Sequence, residues 1–151
     1  MVRKIKLKKN RVSKDVGKEL QKAREKSTYI KNLRKKYPLS KPCTYWDDNR
    51  DMELEEKGRE LLVKGDLDGA KRAFEELLAI STYHHSPCEF LAYTLYLKEE
   101  EQEFREWLMD EVVKTAIFFF EEDTLDRDVL DQILENQMRM KEGKELIKWW
   151  E

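Results

Sequence analysis

Between Met52 and Ile80 the chain reads MELEEKGRELLVKGDLDGAKRAFEELLAI, two apolar helical patterns of similar length on either side of Gly65-Asp66. No other stretch limits the fold as much. Leu54, Gly58, Leu61 and Leu62 recur at helical spacing on one face of a first helix. Leu67, Ala70, Phe74, Leu77 and Leu78 do the same on a second. Asp47, Asp48, Asn49 and Asp51 offer side-chain acceptors for free N–H groups where the first helix begins, near Asp51. Gly65 ends that helix, because glycine takes the left-handed conformation without a Cβ clash, and Asp66 caps the next. Glycine inside a helix costs about 1 kcal/mol relative to alanine, so Gly58 requires a close helix contact, expected at Ala70.

This spacing resembles one repeat of the tetratricopeptide (TPR) family, a helix-turn-helix unit of roughly 34 residues. Leu54 stands in the first large position, Gly58 in the glycine position, Leu61 in the later aromatic position, Ala70 in the alanine position and Phe74 in the second-helix aromatic position. Lys57 departs from the family's leucine and Thr82 from its proline. The match covers about a fifth of the 151 residues. One repeat further on, Leu91, Ala92, Leu95 and Leu108 fall in matching positions, while Phe104 replaces the alanine. The expected fold is all-α: two TPR-like hairpins, the second degenerate, with a C-terminal closing helix and a basic N-terminal helix. The resemblance implies that a partner contacts the concave face built from first helices. On this chain that face comprises Glu55, Arg59, Leu62, Val63, Glu89, Tyr93 and Tyr96. It lacks the lysine and asparagine set with which some family members grip a C-terminal carboxylate.

Net charge of −2 conceals a sharp split. Residues 1–45 carry 16 Lys or Arg against three acids, giving +13, and residues 46–151 carry 14 against 29, giving −15. Ser13 offers a cap, and Val16, Leu20, Ala23, Ile30 and Leu33 form a narrow apolar stripe among lysines, so a basic amphipathic helix ending near Lys36 is expected. Tyr37-Pro38 stops it. Three domains follow: a basic arm over 1–37, a proline-containing linker over 38–50, and a TPR-like helical domain over 51–151. The arm docks on the acidic body, stays solvated and flexible, or places Arg3, Lys4, Lys6, Lys8, Lys9, Arg11, Lys35 and Lys36 on nucleic-acid phosphates. Its apolar face lacks Trp and Phe, which argues against a membrane surface.

Apolar residues at 40% with helical periodicity argue for a packed core. No apolar run approaches the roughly 20 residues of a membrane helix, and no signal-peptide core is evident, so a cytoplasmic location is expected. Cys43 and Cys88 are too few for a disulfide framework. His84, His85 and Cys88 form the only cluster with metal or nucleophile chemistry, and neither CxxC nor HxxxH spacing accompanies them. An ordinary loop is therefore expected there, with no catalytic residue, metal or cofactor. Pro87 to Lys98 is apolar nearly all round and reads as the most buried helix. The closing helix, capped by Thr124 or Asp126, is expected to run as far as Trp149-Trp150 with Gly143 weakening it midway. Phe118-Phe120 and Trp149-Trp150 are the candidate surfaces for homo-oligomer contact. The function these features imply is a non-enzymatic adaptor that binds a protein or peptide. The alternative is a nucleic-acid-associated protein acting through residues 1–37.

Overall fold

A computed structural model describes residues 19–38, 41, 49–82 and 84–151. Arg3 to Arg11 of the basic arm, and Tyr45 and Trp46 of the linker, lie outside the described residues. All regular structure among the described residues is helical. Residues 19–25 are helical and precede six further helices: α1 (Thr28–Lys36), α2 (Arg50–Val63), α3 (Leu67–Ile80), α4 (Ser86–Lys98), α5 (Gln102–Glu121) and α6 (Arg127–Glu142). From α2 to α6 each helix packs on the next, α1 lies on α3, and α2 also touches α4.

Helix α2 ends at the expected turn, with Gly65 at φ +83°. The Asp66 carboxylate then accepts from the Gly69 N–H at 2.9 Å and caps α3. The close contact at Gly58 is to Phe74 rather than Ala70. A Cβ on Gly58 would stand 2.4 Å from the Phe74 ring, so glycine leaves the space that ring fills. Phe74 is fully buried and stacks on Phe90 of α4, with centroids 5.1 Å apart and planes 10° off parallel. This stack joins the α2–α3 hairpin to the α4–α5 hairpin. Helix α4 is central, as its all-round apolar sequence requires: Phe90, Leu91, Ala92, Tyr93 and Leu95 are all buried. Phe119 is buried and Phe118 and Phe120 pack partly against the core, so these rings are largely covered within one chain.

Two expected helices are interrupted. The N-terminal helix breaks at Lys26-Ser27, where the Ser27 hydroxyl accepts from the Tyr29 N–H and starts α1. Residues 19–37 pack into the body and do not stand off as an arm. Ile30 and Leu33 are buried in the main core, and Tyr29 stacks on Phe104 of α5 at 4.7 Å. The buried Arg24 guanidinium donates to the carbonyls of Thr82 and His84, both at 2.7 Å, and to Thr115. It also lies 3.5 Å from the Glu111 carboxylate. Stripping a buried charge of its partner costs about 3–5 kcal/mol, so Arg24 ties this segment to the α3–α4 junction and to α5. At the other end, α6 stops at Glu142. Gly143 takes φ +69°, and the Lys144 N–H closes on the Arg139 carbonyl at 2.8 Å. Residues 144–148 are irregular and return toward α4. Thr124 caps the end of α5 rather than the start of α6, donating to the Phe119 carbonyl at 2.9 Å.

Gly58→Ala should therefore destabilise by about 1–3 kcal/mol through overpacking, although alanine favours helix. Urea melts of the two proteins check this; greater stability of the variant would remove Phe74 as the reason for the glycine.

Candidate functional groove

The segment after Gly143 crosses α6, α4 and α2, and three side chains hold its main chain. Tyr96 on α4 donates through its hydroxyl to the Lys144 carbonyl at 2.6 Å. Arg139 on α6 donates to the Glu145 carbonyl at 2.9 Å. Asn136, also on α6 and fully buried, pairs both main-chain groups of Ile147: its amide donates to the carbonyl at 3.1 Å and accepts the N–H at 2.8 Å. A buried amide is costly unless its donors and acceptors are matched, and this pairing fixes the segment's register.

Side chains supply the rest. Leu146 and Trp150 are buried. Trp150 stacks on Tyr93 at 5.2 Å, and Trp149 tilts against Phe90 at 5.3 Å. The Arg59 guanidinium on α2 stands over both Phe90, at 5.8 Å, and Trp149, at 5.6 Å. A cation over an aromatic face is attracted by the ring quadrupole, more so where water is excluded. Trp149 and Trp150 are thus engaged by their own chain.

Of the residues expected on the concave face, Arg59, Tyr93 and Tyr96 meet this segment. Leu62 is in the core, and Val63 remains 52% exposed at the groove's edge. Glu89 is fully buried and accepts a 2.6 Å hydrogen bond from the Tyr93 hydroxyl, so it is not open surface. Glu55 lies in the same layer, largely buried. Burial pushes its carboxyl up to about 6; Arg59 opposes that shift, while Glu89 and Asp51 add to it. Sequence reasoning missed Asn136 and Arg139. A signal was present: Val129, Ile133 and Met140 share a helical face with Asn136, so a lone amide occupies a core stripe.

The His84, His85 and Cys88 cluster sits at the α3–α4 junction. Burial pushes the Cys88 thiol up to about 11, which leaves little thiolate at neutral pH. Burial, then His85, pushes His84 down to about 3. Among the described residues no group of three or more His, Cys, Asp or Glu is placed to hold a metal ion. Nor is any helix there long and apolar enough to cross a membrane. Lys36 of the candidate phosphate-binding set pairs with Glu75 at 2.9 Å, and Lys35 is exposed. No family model, curated protein or solved structure matches the chain.

Glu55 carries a pH dependence with a definite sign. Its folded-state value lies above the ordinary 4.5, so the folded state holds the proton more tightly and stability falls as pH rises through about 4.5 to 6. Glu55→Gln should raise stability at about pH 8 by up to about 2 kcal/mol, and the gain should vanish near about pH 4. Denaturant melts of both proteins at the two pH values measure it; an equal effect at both would deny the carboxylate this role.

Proposed function

We propose that this chain is a non-enzymatic protein-interaction module of tetratricopeptide-like build, an adaptor that takes a peptide segment of its partner across α2, α4 and α6. One observation carries the reading: the main-chain bonds from Asn136, Tyr96 and Arg139 to residues 144–147 are those a peptide-binding face makes. Main-chain bonds of this kind confer affinity and register without regard to sequence, and neighbouring side-chain pockets confer specificity. Here Arg59, Phe90 and Tyr93 are the side-chain surface. The build is compatible with the same reading, since each helix from α2 to α6 packs on the next.

The test is capture from the source cell by tagged protein, with and without nuclease, using wild type and Arg59→Glu. The reading expects a protein partner that survives nuclease and falls by about tenfold or more in the variant, as losing a central interface residue does. Capture that disappears with nuclease and ignores Arg59 would contradict it. The interaction would then belong to the basic set of Arg3, Lys4, Lys6, Lys8, Lys9, Arg11, Lys35 and Lys36.

A further inference from the structure

Residues 144–150 also describe the ligand. The groove holds a short irregular segment in which an aliphatic side chain, Leu146, precedes two adjacent aromatics, Trp149 and Trp150, by three residues. The bonds from Tyr96, Arg139 and Asn136 go to its main chain, and Phe90, Tyr93 and Arg59 meet its aromatic rings, while Lys144 pairs with Glu142 at 2.7 Å. A segment from another chain can reproduce all of them. The segment leaves α6 at Gly143, whose φ of +69° ends the helix.

We infer that the groove's partner is a foreign protein segment of the same chemistry, an aliphatic residue followed three positions later by paired aromatics, and that residues 144–150 are its competitor in cis. The inference rests on the adaptor reading and specifies the ligand.

A second copy is the poorer occupant. Each copy already covers its own groove, so exchanging segments gains no contact and adds the cost of association. A foreign segment brings aromatics that have no groove of their own. It also has surface to gain: Met52, at 67% exposure, and Val63, at 52%, fall on the same helical face of α2 as Arg59 and are left open by residues 144–150. A segment of this chemistry at sufficient concentration exchanges with the competitor, and a longer one running along α2 also covers Met52 and Val63 and so gains a further advantage. The competitor acts at an effective concentration of order mM, so it weakens the apparent affinity of the partner by about tenfold or more without altering the groove.

The probe is a synthetic peptide of residues 143–151, GKELIKWWE, with a control in which both tryptophans are alanine. It is titrated against the full wild-type chain and the full-length double variant Trp149→Ala/Trp150→Ala. The double variant should bind the tryptophan peptide about tenfold or more tightly than wild type does, and neither should bind the control comparably. Fluorine NMR of the fluorotryptophan-labelled wild-type chain provides a readout that survives even if the double variant fails to fold. The Trp149 and Trp150 signals should move as unlabelled peptide displaces them. No binding by a double variant that keeps its helical circular dichroism, or fixed Trp149 and Trp150 signals at saturating peptide, overturns the inference. A wild-type dimer that disappears in the double variant also overturns it, by making a second copy the occupant. Arg59-dependent partner capture alongside failed peptide binding overturns the ligand chemistry while sparing the adaptor reading.

Discussion

The stack of Phe74 on Phe90 is the contact on which the remaining structure depends. Gly58 makes it possible by leaving out the Cβ that would meet the Phe74 ring. One face of Phe90 is thereby fixed against the first hairpin, and the same residue meets Trp149 and lies under Arg59. A missing side chain on α2 thus leads, through two rings, to a groove surface of defined shape. Interiors are packed closely enough that a displaced Phe74 ring would be felt at Phe90 and then at the groove.

Polar groups complete what the rings begin, at both ends of the body. Arg24 fastens the N-terminal segment by donating to main-chain carbonyls at the α3–α4 junction and reaching Glu111 and Thr115 on α5. Asn136 fastens residues 144–150 by matching one main-chain donor and one acceptor. Both side chains are buried and both bond mainly to backbone, so each specifies where a terminal segment lies against the packed helices. The charge split of the sequence is partly neutralised in the same way, through Lys36 with Glu75 and Arg24 with Glu111.

The α2–α3 hairpin was legible because its signals are local: a glycine turn, a capping aspartate and apolar residues at helical spacing. The burial of α4 was legible because its apolar residues surround the helix. The ends were not. Leu146, Ile147, Trp149 and Trp150 fit a helical stripe as well as they fit an irregular segment, and Gly143 serves either as a weak interior residue or as a stop. Only contacts with Asn136 and Tyr96, distant in sequence, decide between them. The N-terminal end was legible in one respect. Ile30 and Leu33 stand out on the apolar stripe and are buried, while Arg24 looks like the basic residues around it and only its distant carbonyl partners set it apart. The face implied by the resemblance includes Arg59, Tyr93 and Tyr96, which meet residues 144–150, and also Leu62 and Glu89, which are buried, because a repeat position gives a face and not its depth.

The account turns on whether Asn136 clamps the main chain of Ile147 against α6. Amide hydrogen exchange at Ile147, compared between wild type and Asn136→Ala, measures this directly. The account predicts an Ile147 N–H protected in wild type and exchanging about tenfold or more faster in the variant, while the α4 amides keep their protection. An Ile147 amide that exchanges in wild type as freely as an exposed loop, or that ignores the substitution, would contradict it.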